Sequence, residues 1–357
     1  MVIRGPWRYS SDDWLQCLKT LPTSRILKRV KYNILFCTLW TAFWTFLVKS
    51  ASTKLNFLKA FISYPASVHS IVGTALGLLL VFRTNTSYDR FWEGRKLWGS
   101  LIVASRDIAT HAFVHLDKSS HKKIAELVIS FAIALKQHIQ GDIIQSEYQP
   151  FLGKEDLAKA IVVRNTPNHI LRNLALEIHK AVYSQYYDNP VVATLHEKDF
   201  TSSLHSMAAI AASCERIVKQ PVPLSYARHT SRFLSLYLLT LPLTLISAVG
   251  WAAVPTMLAI SWSFLSVHEI GLFIEDPFNK EFQIIPLNQF ICVIRSDIAG
   301  AKAKNLIFIK CSLFSLLQTE ILDGVTDSPD MEKFDEKMIT SMKEKSRMQD
   351  DNYFAYY

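Results

Sequence analysis

The sequence predicts an all-α integral membrane protein, and three observations predict it. Charge disappears from a few long stretches: Tyr32 to Val48 is 17 residues without Lys, Arg, Asp or Glu, Ala60 to Phe82 is 23, and Phe233 to His268 is 36. A helix needs about 20 mostly apolar residues to cross a hydrocarbon core. Basic residues gather beside these runs, as they do at membrane boundaries. Between the runs, apolar residues recur at three- and four-residue steps, the period of a helix with one buried face.

Taken in order, residues 1–31 read as a short amphipathic helix and a basic connector, with Trp7 and Trp14 placed for the membrane interface. Residues 32–88 hold spans one and two. The first carries Trp40, Phe43 and Trp44 between the flanking Lys31 and Lys49, and the second is a helix over about 66–84. Residues 89–230 turn soluble in character and mostly helical. Leu97, Leu101, Ala104 and Ile108 form one apolar face, Leu127, Phe131 and Leu135 another, and Pro150, Pro167 and Pro190 punctuate the region. The 36-residue run is too long for one crossing. Pro242, Gly250 and Pro255 interrupt it, so residues 231–274 hold spans three and four around a tight uncharged turn near Gly250. Residues 275–322 are a second helical block, and 323–357 are a polar tail, loose or wrapped on a neighbouring copy.

Four spans place both soluble blocks on one side, where they can pack as one helical domain. Arg25, Lys28, Arg29 and Lys31 precede span one, and Arg83, Arg90, Arg95 and Lys96 follow span two, against Lys49, Lys54 and Lys59 between them. The excess puts both termini on the cytosolic or stromal side. The formal charge of +8 would suggest nucleic acid in a soluble protein. Here it sits beside the spans, and no nucleic-acid partner is expected. Cys17, Cys37, Cys214, Cys292 and Cys311 contain no CxxC pair, so neither a disulfide framework nor a zinc site is suggested. No secretory signal is expected, because the first apolar run starts near residue 32.

Span two is unusual. Ser70, Thr74, Leu78 and Phe82 fall at four-residue steps and make one stripe that runs from hydroxyls to large apolar groups. Gly73 and Gly77 lie on another face, at a spacing that permits close helix approach. One subunit offers too little polar surface to line a water path. A ring of copies gives a hydroxyl-lined vestibule narrowing to an apolar neck, the kind of constriction that gates by dewetting. Phe ring edges carry partial positive charge, so such a neck tolerates an anion better than a cation. Arg83 and Arg90, just beyond, would raise the local anion concentration, or would pair with Asp89 and Glu93.

The segment Phe82-Arg83-Thr84-Asn85-Thr86-Ser87-Tyr88-Asp89-Arg90-Phe91-Trp92-Glu93-Gly94-Arg95-Lys96-Leu97-Trp98-Gly99 resembles the stretch after the neck in bestrophin-like channels, especially the bacterial and plant branch. Glu215-Arg216-Ile217, followed by Pro221-Val222-Pro223-Leu224-Ser225-Tyr226, resembles their entry to the third span. Ile274-Glu275-Asp276-Pro277-Phe278 with Ile285-Pro286-Leu287 resembles their motif after the fourth. The matches stand in family order over about residues 25 to 320. The resemblance implies a homo-pentamer in a lipid membrane, with one axial pore that passes chloride, bicarbonate or other small anions. It puts the neck at Thr74, Leu78 and Phe82, the vestibule at Ser70, Arg83 and Asn85, and a second, cytosolic aperture near Leu204, with Ser203 and His205 as alternatives. It implies no cofactor. A thylakoid-type organelle membrane and a plasma membrane are both compatible.

The resemblance breaks at one place. Animal bestrophins carry an acidic run after the Pro-Phe motif that clasps calcium, and this chain has Asn279-Lys280-Glu281-Phe282-Gln283. Calcium takes six to eight oxygen ligands, several from carboxylates, so neither a metal site nor calcium-clasp activation is expected. Two alternatives stay open, a cation channel of the same fold and a membrane anion transporter, and an enzyme using His268-Glu269 or Glu275-Asp276 is not expected. The chain lacks an HExxH, a Gly-rich phosphate loop and a GxSxG, and the enzyme reading has no further support.

Overall fold

A computed structural model describes residues 24–50, 66–148, 150–185, 187, 190–282 and 284–298. Trp7, Trp14, the loop before Ala66, residues 299–322 and the polar tail lie outside them.

Nine α-helices carry the described residues: α1 (Arg25–Ser50), α2 (Ala66–His115), α3 (Lys118–Gln140), α4 (Lys154–Val162), α5 (Thr166–Tyr183), α6 (Pro190–Lys219), α7 (Leu224–Val249), α8 (Ala253–Glu275) and α9 (Leu287–Ile298). Local chemistry sets several of their ends. Asp117 caps α3 by accepting from the amides of Ser119 (3.1 Å) and Ser120 (3.2 Å). Hydrogen bonds from the Ser119 and Ser120 side chains, and then from these amides, hold its carboxyl well below the usual carboxylate range. Gly141, at φ 72°, closes the same helix. Asn165 caps α5, with Pro167 in the first turn, where a missing N–H costs nothing. Gly250, at φ 58°, lets the chain leave α7, and the single 3₁₀ turn Gly250–Ala252 feeds α8. The turn therefore falls at the expected glycine.

The long helix α2 positions everything else. It does not stop near residue 84 but runs on for 50 residues, about 75 Å at 1.5 Å per residue. A hydrocarbon core is about 30 Å thick, so more than half of α2 belongs to the soluble part. Its first half packs on α7 and α8, and its second half on α3, α6 and α9. Two apolar cores follow. Leu76, Leu80, Leu234, Leu238, Leu241, Met257 and Cys37 fill the first. Trp98, Leu101, Phe131, Leu135, Leu174, Met207, Phe278 and Ile294 are among those filling the second. Helix α3 is the hub of the second core and buries every residue from Leu127 to Gln137.

Two stretches among the described residues, Ala66–His115 and the paired helices Leu224–Glu275, are long and apolar enough to cross a membrane. In their most apolar parts only 17% and 33% of residues are buried. A soluble protein's core helix would be mostly buried, so the apolar faces here are left for lipid or for another copy. The protein is thus all-α and membrane-associated, with at least two stretches long and apolar enough to cross a membrane. Cys37 and Cys214 are buried free thiols.

Candidate pore face and its fastening

The stripe on α2 points away from the protomer. Ser70, Thr74, Leu78, Phe82 and Asn85 are all exposed, and Leu78 and Phe82 are more than half exposed although large and apolar. The opposite face is packed, with Leu76, Leu80, Arg83 and Ser87 buried. The Thr74 hydroxyl turns back to the Ser70 carbonyl at 2.9 Å, which ties the outer part of the stripe into one helical turn. The glycines behave differently. A Cβ on Gly73 would stand 2.8 Å from the Tyr237 hydroxyl on α7, whereas Gly77 faces open space. Gly73 therefore lets α7 approach closely, and beside it His69 Nε2 and the Thr240 hydroxyl meet at 3.0 Å.

Arg83 is turned away from the exposed stripe, into the protomer. It is 1% exposed, and its Nη1 lies 3.2 Å from His268 Nδ1 on α8. Its Nη2 is 3.5 Å from Glu275 Oε2. Arg83 lies off the stripe because its position is about a third of a helical turn from Phe82, on the packed side. Arg90 also turns inward. Its Nε donates to the Glu275 carbonyl (3.0 Å), Nη1 to the Gln220 carbonyl (2.6 Å) and Nη2 to the Ile217 carbonyl (2.6 Å). A helix leaves its last four carbonyls without intrahelical partners, and one guanidinium supplies the ends of both α6 and α8. Neither arginine pairs with Asp89 or Glu93. Glu93 instead meets Arg216.

The remaining motif residues divide into two sets. One set fastens the fold. Gly94 gives room to Phe278, since a Cβ there would stand 3.0 Å from the Phe278 ring and 3.1 Å from Ile285. Pro277 and Phe278 are buried. Pro223 stands at the start of α7, and the Tyr226 hydroxyl reaches the Leu79 carbonyl at 3.5 Å. Thr84 returns its hydroxyl to the Leu80 carbonyl at 2.9 Å. Glu215 accepts from Asn165 (3.0 Å) and Lys219 and lies 3.2 Å from His138 Nε2. Partial burial opposes its ionisation, but the bonds from Lys219 and Asn165 and the nearby charges hold its carboxyl below the usual range. The other set, Tyr88, Trp92, Arg95 and Asp276, is exposed on the protomer.

The three residues expected near the cytosolic aperture differ in exposure. Leu204 packs against the soluble core, and Ser203 is buried against Asp107. His205 is the exposed member of the three. It shares an outward face of α6 with Ser202, Ala209, Ala212 and Arg216.

Sequence reasoning undervalued His268 and Ser231. His268 bridges Arg83 and the Ser231 hydroxyl, 3.2 Å from Nε2. The available signal was a histidine inside an otherwise uncharged apolar run, a position where such a residue is costly and has a use. Among the described residues, no group of His, Cys, Asp or Glu is placed to hold a metal ion.

Residues 7–300 match the family described as Bacterial/Fungal Bestrophin protein. A voltage-dependent anion channel-forming protein of Nostoc sp. is 33% identical over 255 residues, 69% of this chain and 80% of that protein. The chloroplastic voltage-dependent chloride channel 1 of Arabidopsis thaliana is 30% identical over 239 residues, 65% of this chain and 55% of that protein. The crystal structure of a point mutant of a bacterial bestrophin homologue from Klebsiella pneumoniae superposes with a TM-score of 0.69 at 22% identity. That match covers 76% of this chain and all of the other, and it shows the shared fold. With a family match over most of its length and relatives above 30% identity, the chain belongs to the bestrophin family.

Proposed function

We propose that this protein is a multi-pass anion channel that conducts chloride and related small anions by passive electrodiffusion through a ring of identical copies. The observation that carries the reading is the exposed stripe Ser70–Thr74–Leu78–Phe82 on α2, which none of the described residues covers. The names of the relatives, which are anion and chloride channels, agree with it.

In this reading α1, the first part of α2, α7 and α8 are the four spans, and five protomers surround one axis. Ser70 and Thr74 supply hydroxyls that solvate an entering anion. Leu78 and Phe82 form the apolar neck, where the ion sheds water and meets ring edges rather than acceptor oxygens. Asn85 follows the neck on the cytosolic or stromal side. Arg83 takes no part in the lining. A second constriction falls on the outward face of α6 at His205. Tyr88, Trp92, Arg95 and Asp276 meet the neighbouring copies. The stretch Asn279–Gln283 offers no acidic clasp: Asn279 Oδ1 accepts from the Glu281 amide at 2.8 Å, and Lys280 pairs with Asp142 at 2.7 Å.

The test is a planar bilayer carrying the purified protein across a potassium chloride gradient. Unitary currents that reverse near the chloride equilibrium potential are expected. Reversal near the potassium potential would keep the fold and overturn the selectivity. Saturating flux without unitary steps would make the protein a carrier.

A further inference from the structure

Behind the pore face, where α2, α7 and α8 meet, lies an open depression of about 320 Å³. That is the small end of the range for ligand pockets, about 300–1,000 Å³. Arg83, Ala227, Arg228, Ser231, Arg232 and Leu272 line it. Three of the six are arginines and none is a carboxylate.

The arginine donors are in surplus. Arg83 is 1% exposed, yet its Nε and Nη2 have no hydrogen-bond partner among the described residues. Glu275 Oε2, 3.5 Å from Nη2, is too far to accept a good hydrogen bond and is itself unsatisfied. A buried guanidinium with spare donors is costly unless something accepts them. Arg228 and Arg232, one turn apart on α7, are exposed and enter no ion pair among the described residues. Ser231 between them engages His268. One Glu275 carboxylate against three guanidinium groups leaves the site strongly positive.

We propose that this arginine-lined depression binds a phosphate group, carried by an anionic phospholipid headgroup or present as free inorganic phosphate. Guanidinium forks match phosphate oxygens bidentately. The depression lies at the end of the apolar helices where α7 begins and α8 ends, which is the depth of lipid headgroups in the four-span reading. Basic pockets between membrane helices on this side are suited to anionic headgroups. The stripe on α2 lies on the other side of that helix, so the site is separate from the conduction path and touches it through Arg83, next to Phe82.

The experiment uses delipidated, detergent-purified full-length protein and native mass spectrometry. Phosphatidylglycerol and phosphatidylcholine are titrated separately, and the thermal midpoint is followed with inorganic phosphate. The variants are Arg228→Gln/Arg232→Gln and Arg228→Lys/Arg232→Lys, with Arg164→Gln as a remote control; size-exclusion elution checks that each assembles as wild type. A phospholipid ligand gives preferential phosphatidylglycerol binding that weakens at least tenfold in the Gln pair, stays within about threefold in the Lys pair and is unchanged in the control. A free-phosphate ligand gives a phosphate-dependent rise in midpoint that the Gln pair loses, with phosphatidylglycerol binding unaffected. If the Gln pair matches wild type in both readouts, the site does not exist. If the Gln pair fails to assemble, the Lys pair decides: phosphatidylglycerol bound no better than phosphatidylcholine, with no phosphate-dependent midpoint shift in wild type or the Lys pair, overturns the proposal.

Discussion

Arg90 and Glu275 are 185 residues apart in sequence, and the Arg90 Nε donates to the Glu275 main-chain carbonyl at 3.0 Å. With its two other nitrogens on the carbonyls of Ile217 and Gln220, Arg90 ties the ends of α6 and α8 to the middle of α2. The soluble and apolar parts of the protomer meet at this point, and one side chain joins the three helices there.

Arg90→Lys should therefore be nearly as damaging as Arg90→Ala. A single ammonium cannot span three carbonyls set around a planar fork. Each charge-assisted bond is worth about 1.5–3 kcal/mol, so the loss of two should lower the unfolding midpoint by several degrees. Scanning fluorimetry in detergent measures it, and a Lys variant equal to wild type would remove Arg90 from this role.

Gly94 and Gly99 make a matched pair on the same helix. Alanine at 94 would press on the Phe278 ring and on Ile285, whereas nothing lies within 4 Å of a Cβ at 99. Overpacking costs about 1–3 kcal/mol, and Gly→Ala in a helix returns about 1 kcal/mol. Gly94→Ala should lower the midpoint, and Gly99→Ala should leave it unchanged or raise it. The same melting experiment compares them, and equal shifts would contradict the packing at Phe278.

Glu215 supplies a pH dependence whose sign is fixed by its partners. Its carboxyl is held below the usual range by Lys219 and Asn165 despite partial burial. A depressed folded-state value stabilises the fold above the ordinary carboxylate range, near pH 4.3, and that stability is lost as pH falls through the lower folded value. Glu215→Gln should lower the midpoint by about 2 °C at pH 7, taking roughly 1 kcal/mol for the partly exposed cluster. The variant should lose less than wild type on going from pH 6 to pH 4. Parallel acid limbs would exclude Glu215 as a contributor.

Phe82→Ala should widen the proposed neck and raise open probability several-fold. The wild-type neck should also favour large, weakly hydrated anions over chloride, because an apolar constriction penalises dehydration. Bi-ionic reversal potentials with iodide and chloride test the order, and single-channel recording tests the variant. Unchanged currents in Phe82→Ala would take that residue out of the neck.

Calcium chelation should leave conduction largely intact, since Lys280 is engaged with Asp142 where animal relatives have acidic ligands. Recording with and without a chelator is enough, and abolition of current would reveal ligands elsewhere.

Cys214 shows how far a residue's neighbours lie beyond local sequence. Its thiol is pushed up to about 12, by burial first and then by the Glu93 charge, and Glu93 is on a different helix. Nothing within several residues of Cys214 announces this. The same holds for Gly73, whose small size answers Tyr237 on α7. By contrast, the cap at Asp117, the cap at Asn165 and the turn at Gly250 depend on residues within four positions, and of these the sequence analysis placed the turn.

The sequence by itself determined the class of this protein. Charge-free runs of membrane length, helical periodicity between them and a glycine placed to reverse the chain are one-dimensional features, and hydration cost and backbone sterics act on them directly. The tertiary structure decided which residues of the shared motif face outward. Successive positions on a helix turn by about 100°, so Phe82 and Arg83 separate onto opposite duties, one exposed on the stripe and one buried against His268. Leu204 and His205 separate in the same way. A buried charge reveals its partners only when residues more than a hundred positions away fold against it, and no pattern along the chain carries that distance.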